Sequence, residues 1–272
     1  MTSTRIGRYE ILRELGSGSM ATVYLGQDPF IKRQVAIKVM SYEFAADPTF
    51  EDRFRYEAQL IASLDHPAIV PVYDFGFHGE QLFIVMRFME GGSLADRLYQ
   101  GPLPEHDVVS VMERVASALD DMHGKGIIHR DIKPANLLFN ERGDAYLSDF
   151  GIAKNLDQPG GFTATDVILG TVDYMSPEQI NSSKNLDGRT DVYAMGVVLF
   201  YMLTGALPYK RETIVGTAMA HLGEPIPSVH KKIPTLNSEW DGIFKKALAK
   251  DREGRYTTTG ELAQAVREIM KL

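Results

Sequence analysis

The sequence His129-Arg-Asp-Ile-Lys-Pro-Ala-Asn136, followed downstream by Asp149-Phe-Gly151, carries the strongest signal in the chain. Asp131 can accept a proton from a hydroxyl group, and Lys133 can neutralise a phosphoryl group in transfer. The amide of Asn136 and the carboxylate of the Asp-Phe-Gly motif offer the hard oxygen ligands that Mg²⁺ prefers. Asp and Asn are also common caps and turn formers in loops. Four such residues in this order and spacing nevertheless favour a phosphoryl-transfer site.

A glycine-rich stretch, Gly16-Ser-Gly-Ser-Met-Ala-Thr-Val23, lies upstream of this signal. Glycines let a backbone approach a phosphate closely, although Gly-x-Gly by itself is weak evidence. The residues Thr22-Val-Tyr-Leu25 are β-branched, aromatic or apolar, so they predict a β-hairpin instead of the loop-to-helix turn of a dinucleotide site. Two interpretations stay open here: a hairpin folded over a ligand, and an ordinary structural hairpin.

Lys38 ends the apolar run Val35-Ala-Ile-Lys38. A lysine in this position is more often a solvated charge at a strand edge than a ligand. Glu57 changes this interpretation, because it lies on the next predicted helix and could pair with Lys38. Such a pair would hold the ammonium group toward a phosphate.

The first part of the chain reads as strands around one helix. The helix is predicted to begin at Asp47-Pro48, a capping residue followed by proline at the first helical position. Short β-rich runs between turn residues predict strands at Tyr9–Leu15, Ala21–Gly26, Gln34–Met40, Ile69–Phe77 and Leu82–Phe88.

Beyond Gly91-Gly92 the pattern becomes helical. Helices are predicted after a Ser93 cap and over about 104–122, 192–203, 212–222, 237–249 and 258–270. The segment 192–203 is apolar all round but is shorter than the roughly 20 residues that cross a bilayer, so it predicts a helix buried in a protein core. The stretch 140–188 has little periodicity, and so long an irregular segment usually carries function.

Composition excludes several classes of protein. The 272 residues include 36 acidic and 29 basic side chains, with a formal net charge of −7. This balance argues against a dedicated nucleic-acid binder and against a polybasic membrane-surface protein. There is no cysteine, which excludes a disulfide framework, a thiolate zinc site and a cysteine nucleophile.

Taken together, Lys38, Glu57, the His129–Asn136 segment and the Asp149–Gly151 motif resemble the signature set of the protein kinase family. The resemblance extends over about residues 9–270. The sequences of the motifs are most similar to those of eukaryotic-like serine/threonine kinases of bacteria. It implies an α+β, bilobal protein-kinase fold. An N-lobe (1–89) would hold an antiparallel β-sheet with one helix, and a mainly helical C-lobe (90–272) would complete one catalytic domain.

The resemblance implies that ATP binds between the lobes. The implied ATP contacts are Leu15, Gly16, Gly18, Val23, Ala36, Lys38, Met86, Arg87, Met89 and Leu138. The implied catalytic set is Asp131, Lys133, Lys38 and Glu57, and the implied ligands of Mg²⁺, or of Mn²⁺ in its place, are Asn136 and Asp149. Asp131 would orient and deprotonate the substrate hydroxyl, and Lys133 would stabilise the transferred phosphoryl group.

Three further residues match structural positions of the family. Ser176-Pro-Glu178 resembles its Ala-Pro-Glu motif, and Arg255 lies where the family pairs an arginine with that glutamate. Asp191 is similar to the aspartate that anchors the catalytic loop. Thr171, together with Lys133, resembles the serine/threonine branch, although a threonine here could also be a solvated loop residue.

Regulation is implied by Arg130, since an arginine before the catalytic aspartate is, in the family, the partner of a phosphate on the activation segment, here 149–178. Thr163 and Thr165 are the candidate acceptors. A phosphate adds about −1.5 to −2 charges, so we expect activation by autophosphorylation of this segment. The alternative is that both threonines are merely polar loop residues.

The sequence leaves two alternatives to an active protein kinase. A pseudokinase acting as a nucleotide-binding scaffold usually lacks an equivalent of Lys38, Asp131 or Asp149, and all three are present. A small-molecule phosphotransferase generally lacks the substrate-binding segment around Thr171 and Ser176.

The expected partners are ATP, proteins with Ser or Thr acceptors, and a second copy of the chain in trans, with no nucleic acid and no membrane contact within the chain. The expected location is cytoplasmic, as a free domain or as part of a larger membrane-anchored protein.

Overall fold

The computed structural model describes residues 5–18, 21–41, 64–149 and 172–270. These residues group into two compact units. The first comprises the described residues up to Asp65 together with Ile69–Glu90, and the second comprises His66–Ala68 and the described residues from Gly91 onward. The division of the chain at residues 89 and 90 is retained as a prediction.

The first unit is built on a 6-stranded antiparallel sheet with strand order β1-β2-β3-β4-β6-β5. Side chains alternate between the two faces of a strand, so Val35, Ile37 and Val39 of β4 lie on one face and pack with Phe83 and Val85. The strands are β1 Arg5–Ile6, β2 Tyr9–Ser17, β3 Ala21–Gln27, β4 Gln34–Met40, β5 Val72–His78 and β6 Gln81–Arg87.

The predicted strands of this unit are confirmed, with one shifted start. The run predicted from Ile69 becomes a strand only at Val72, because Pro71 has no N–H group to give to a sheet ladder. Between β3 and β4 the chain makes an Asp-stabilised turn at Asp28-Pro29, in which the amide nitrogen of Phe30 donates to Asp28 Oδ1 at 2.9 Å. The helix predicted from Asp47 lies outside the described residues.

The second unit is mainly helical and also contains a small hairpin of two strands. Its described helices are α1 Leu94–Leu98, α2 Glu105–Gly124, α3 Pro177–Ile180, α4 Arg189–Thr204, α5 Ile214–Gly223, α6 Val229–Lys232, α7 Trp240–Ala247 and α8 Thr259–Met270. The hairpin strands are β7 Leu137–Phe139 and β8 Ala145–Leu147. The 3₁₀ turns are Pro134–Asn136, Val172–Tyr174 and Arg252–Gly254.

Helix α4 forms the core of this unit. Its side chains are buried on nearly every side from Thr190 to Leu203, as the apolar run predicts. Gly205 caps its C-terminal end with a φ of +65°, the left-handed conformation that glycine adopts easily. Trp240 is 1% exposed and stacks near Phe244, so it also lies in the core. Among the described helices, none is both long and apolar enough to cross a membrane.

The stretch 140–188 is less irregular than the sequence predicts. Within its described part it contains β8, the 3₁₀ turn Val172–Tyr174 and helix α3. Each of these elements has only three or four residues, which is too short for a periodic pattern to develop. Helix α6 was not predicted, because it also has only four residues.

Candidate active site

The loop that carries Asp131 is fixed by Asp191 at the start of α4. The backbone amides of His129 and Arg130 each donate to one carboxylate oxygen of Asp191, at 2.9 Å in both cases. His123 Nε2 lies 2.8 Å from the same carboxylate, and Asp191 is only 1% exposed. Arg130 has a φ of +64°, an unusual value for a residue with a side chain. The anchored amides hold the loop in this strained turn.

His129 supports the loop from beneath and is fully buried. Its Nε2 lies 3.0 Å from the carbonyl oxygen of Ser148, and its Nδ1 accepts the amide N–H of Asp131 at 3.3 Å. Burial lowers the pKa of His129, although the nearby Asp191 carboxylate opposes the shift. A neutral ring that accepts at Nδ1 must carry its proton on Nε2, so His129 donates to the Ser148 carbonyl.

Asp131, Lys133 and Asn136 meet at one point of this loop. Lys133 Nζ lies 2.9 Å from Asp131 Oδ2. Asn136 Nδ2 donates to the same carboxylate oxygen at 3.1 Å and to the backbone carbonyl of Asp131 at 2.8 Å. Because the amide nitrogen of Asn136 faces Asp131, the planar side chain directs its oxygen to the opposite side. The arrangement therefore joins a carboxylate, an ammonium group and an oriented amide oxygen.

The same loop is joined to the strand that leads to Asp149. The carbonyl oxygen of Asn136 accepts from both the amide nitrogen and the hydroxyl of Ser148, each at 2.9 Å. Asp149 follows with a φ of +56°, again in the left-handed region. Strained residues of this kind cluster at functional sites. The chain thus holds Asn136 and Asp149, the two predicted metal ligands, on directly hydrogen-bonded segments.

The donor set of Asn136 and Asp149 suits Mg²⁺. Within the described ranges, no group of three or more His, Cys, Asp or Glu side chains could hold a metal ion. Mg²⁺ does not need such a cage, because it is usually held by one or two protein groups together with substrate phosphates and water. One amide oxygen and one carboxylate fit that requirement.

In the first unit, several residues predicted to bind ATP share one face of the sheet. Val23 is paired with Lys38, and Lys38 with Ile84, across neighbouring strands. Ala36 and Met86 are a further cross-strand pair two residues along. Since alternate residues of a strand point to the same side, Val23, Ala36, Lys38 and Met86 lie on one face. This face is opposite to the cluster around Ile37.

The glycines of the hairpin differ from those used for packing. A Cβ atom added to Gly26 would lie 2.5 Å from Ile37 Cδ1, so Gly26 is required by the core. At Gly16 no described atom lies within 4 Å of such a Cβ, and at Gly18 only the carbonyl oxygen of Ala21 does, at 3.8 Å. Packing against described residues therefore does not explain these two glycines.

The remaining predicted contacts have the following places. Leu15 is half-buried near the end of β2, Arg87 is exposed at the end of β6, Met89 is buried after β6, and Leu138 is half-buried in β7. The predicted residues Glu57, Phe150, Gly151, Thr163, Thr165 and Thr171 lie outside the described residues. The Lys38–Glu57 pair stays a prediction.

Glu178 and Arg255 form a bidentate ion pair in the second unit, at 2.7 and 2.8 Å. The Arg255 side chain is fully buried, and that of Glu178 is 11% exposed. Burial alone would raise the pKa of Glu178, but the hydrogen bonds and charge of Arg255 outweigh burial and lower it. Thr190 Oγ1 donates to Glu178 Oε1 at 3.0 Å, so the pair is tied to the start of α4.

Two residues that hold the site were missed by sequence reasoning. His123 contacts Asp191 through its Nε2, and no motif or spacing in the sequence predicts this contact. Gln179 completes a capping box with Ser176 at the start of α3, and its Nε2 donates to the carbonyl oxygen of Arg130 at 2.9 Å. The capping box was visible as Ser-x-x-Gln with proline at the first helical position. The contact with Arg130 has no sequence signal.

The fold and the geometry of this loop define a protein kinase domain. The sequence matches the family described as protein kinase domain over residues 9–268, so the chain belongs to that family. Protein kinases generally use ATP with Mg²⁺. The predicted family and the predicted fold class are thereby confirmed.

The chain is similar to bacterial proteins named serine/threonine-protein kinases. It is 41% identical to PrkC of Bacillus subtilis (strain 168), covering 94% of this chain and 39% of that protein. It is also 41% identical to PknJ of Mycobacterium tuberculosis, covering 94% of this chain and 44% of that protein. The chain thus spans about two fifths of the length of these curated relatives. The crystal structure of the M. tuberculosis PknI kinase domain matches with a TM-score of 0.79 at 31% identity, covering 100% of this chain and 99% of that one.

Proposed function

We propose that this chain is an active serine/threonine protein kinase domain that transfers the γ-phosphate of ATP to Ser and Thr hydroxyls of proteins. The observation that carries the proposal is the meeting of Asp131, Lys133 and Asn136 on a loop fixed by Asp191. The names of the bacterial relatives support the choice of Ser and Thr as acceptors. The presence of Lys133 in the catalytic loop also supports Ser and Thr as acceptors.

In the proposed reaction, the substrate hydroxyl oxygen attacks the γ-phosphorus. The bond from that phosphorus to the oxygen bridging to the β-phosphate breaks, which leaves ADP and a phosphorylated Ser or Thr. The hydroxyl proton passes to the carboxylate of Asp131. Lys133, 2.9 Å from that carboxylate, stabilises charge on the phosphoryl group as it moves. Because the transition state is loose, positioning and charge neutralisation supply most of the catalysis.

Asn136 and Asp149 are the proposed ligands of Mg²⁺, with Mn²⁺ as an alternative ion. When bound, the ion would neutralise charge on the nucleotide phosphates. The role of this chain is to hold the two oxygen ligands in place. The hydrogen bonds from Ser148 to the Asn136 carbonyl support this role, since they fix the two ligand-bearing segments to each other.

The proposed nucleotide contacts in the first unit are the exposed glycines and one face of the sheet. The backbone at Gly16 and Gly18 would approach the phosphates, which is a reason for glycine that packing does not provide. Lys38, held by Glu57, would contact the α- and β-phosphates. The proposed adenine contacts of this unit are Leu15, Val23, Ala36, Met86, Arg87 and Met89. Leu138 is the proposed adenine contact in the second unit.

The activity is proposed to be regulated through the segment 149–178. A phosphate on Thr163 or Thr165 would pair with Arg130, and Thr171 would contact Asp131 or Lys133. Autophosphorylation in trans would make a second copy of the chain a substrate. The proposed location of the domain is cytoplasmic.

The proposal is tested by transfer of labelled phosphate from ATP and Mg²⁺ to the chain itself and to a basic protein. We expect transfer by the wild type and none by Lys38→Met or Asp149→Asn. Absence of transfer by the wild type, both before and after phosphatase treatment, would favour a nucleotide-binding scaffold. Transfer that survives Asp149→Asn would overturn the metal assignment.

A further inference from the structure

An ion pair between Lys210 and Asp173 lies beside the segment 172–176, which precedes the Pro-Glu of α3. Lys210 Nζ is 2.6 Å from Asp173 Oδ2. The two side chains are exposed very differently, 61% for Lys210 and 8% for Asp173. The pair therefore consists of a buried carboxylate and an ammonium group that faces solvent.

The segment 172–176 is continuous with residues held against the catalytic loop. Ser176 caps α3, and Gln179 of the same capping box donates to the carbonyl oxygen of Arg130. Arg130 directly precedes Asp131, the proposed base. The hydrogen bond thus fixes one end of the segment beside the residue that receives the substrate hydroxyl.

Lys210 approaches the segment from a well-supported loop between α4 and α5. The neighbouring Arg211 donates its amide N–H to Thr217 Oγ1 at 3.1 Å and forms an ion pair with Glu224 at the end of α5. Further along α5, His221 is fully buried, and its Nδ1 lies 2.8 Å from the hydroxyl of Tyr193 in α4. Arg211 thus joins the loop to α5 near both ends of that helix. These contacts fix the backbone from which the Lys210 side chain extends.

Resting on the proposed kinase function, we propose that Lys210 is a positioning and specificity-determining residue for protein substrates, which acts through Asp173 on the segment 172–176. A carboxylate buried to this extent needs an opposite charge nearby. Lys210 supplies that charge and so keeps the 3₁₀ turn Val172–Tyr174 in the shape observed. Its exposed ammonium also gives the segment a local positive potential, which disfavours a basic substrate residue lying next to the acceptor.

The test compares Lys210→Met with three other variants. Lys210→Arg keeps the charge, the double variant Lys210→Met with Asp173→Asn removes both charges, and Lys245→Met removes an exposed lysine of α7 as a matched control. The first readout is hydrogen exchange of the backbone amides in 172–181, which does not require enzymatic activity. We expect exchange about threefold to tenfold faster in Lys210→Met than in the wild type. Lys210→Arg, the double variant and Lys245→Met should all remain close to the wild type.

The second readout is phosphorylation of a threonine peptide library in which the residue after the acceptor is varied. For Lys210→Met, we expect the peptide KM to rise about threefold to tenfold while kcat and the KM for ATP stay within about twofold. The preference for glutamate over lysine after the acceptor should fall in the same variant and return with Lys210→Arg. A merely structural role would not change this preference.

The outcomes separate the two proposals. If the wild type phosphorylates no peptide or protein, the proposed function fails, and hydrogen exchange alone decides whether Lys210 positions the segment. If the wild type is active, unchanged exchange in Lys210→Met would overturn the positioning role. An unchanged preference between lysine and glutamate would overturn the role in specificity.

Discussion

Glu178 and Arg255 lie 77 positions apart in the chain and form a bidentate ion pair, with both terminal guanidinium nitrogens donating to the carboxylate. Arg255 also donates to the carbonyl oxygens of Ala249 and Arg189, at 2.8 and 3.0 Å. The guanidinium is thus surrounded by hydrogen-bond acceptors, and the Arg255 side chain has no exposed surface. The pair links the helix that follows the segment 172–176 to the C-terminal part of the second unit.

Replacing Glu178 by Gln should destabilise the chain strongly. The substitution leaves the buried guanidinium of Arg255 without its counter-charge, so we expect a loss of about 3 kcal/mol in the free energy of unfolding at pH 7. Urea unfolding followed by circular dichroism measures this loss. Glu253→Gln is the matched control, because Glu253 is exposed and pairs with Arg189 at the surface, and its effect should be much smaller.

The same variant gives a pH prediction. The pKa of Glu178 is lowered from its ordinary value of 4.5 in the folded chain, so the folded state favours the ionised carboxylate. The stability that this provides is complete above the unfolded pKa and is lost as pH falls through the folded pKa. The difference in unfolding free energy between the wild type and Glu178→Gln should therefore shrink below pH 4.5. A difference that stays constant from pH 7 to pH 3 would contradict the lowered pKa.

Asp191→Asn tests the anchor of the catalytic loop. Asp191 accepts the amides of His129 and Arg130 on separate carboxylate oxygens, whereas asparagine offers only one oxygen and turns an NH₂ group toward the other amide. We expect the variant to lose about 2 kcal/mol of stability. Hydrogen exchange in 128–132 should become faster and kcat should fall. Asp121→Asn, which removes only an exposed pair with Lys125, should leave exchange in the loop unchanged; equal acceleration in both variants would count against the anchor.

Lys250 gives a second, alkaline pH prediction. Burial lowers the pKa of Lys250 from 10.5 to about 8; the Glu224 carboxylate opposes this shift to a smaller extent, and the positive charge of Arg255 adds to it. Between these values the folded chain has released a proton that the unfolded chain still binds, so stability rises with pH. The stability of the wild type relative to Lys250→Met should therefore increase from pH 8 to pH 10. A relative stability that is flat or falls over this range would show that Lys250 stays charged.

Phosphorylation of the activation segment is expected at Thr163 or Thr165. Mass spectrometry of the peptide 155–171 after incubation with ATP and Mg²⁺ should show added phosphate, which Thr163→Ala with Thr165→Ala removes. Mixing the wild type with a size-tagged Lys38→Met chain tests transfer in trans, since only a second copy can modify the inactive one. A peptide without phosphate after incubation of the active wild type would exclude this mode of regulation.

The catalytic loop could be predicted from the sequence because its chemistry is dense and local. Asp131, Lys133 and Asn136 lie within six positions, so their meeting needs only one turn of backbone. The strands and long helices were also predictable, because burial imposes periods of two or 3.6 residues on their apolar side chains. In helix α4, for example, the apolar side chains lie on every side of the helix, and the helix is accordingly buried on nearly every side.

The supports of the site could not be predicted, because they are long-range contacts of single polar residues. His123 reaches Asp191 and Gln179 reaches Arg130 across 68 and 49 positions, and such pairs leave no periodic pattern. Lys210 lies in a loop whose composition resembles any solvated turn. The strands β7 and β8 have three residues each, which is below the length at which alternation is visible.

The central claim is that Asp131 is the base of a phosphoryl transfer supported by Lys133 and Asn136. Its most direct test is the rate of peptide phosphorylation by Asp131→Asn, measured together with nucleotide affinity by calorimetry. Asparagine keeps the size of the side chain but cannot accept the proton, so we predict a fall in kcat of about 10² to 10⁴ with ATP affinity within about threefold of the wild type. A variant that keeps more than about a tenth of the wild-type kcat would contradict the account.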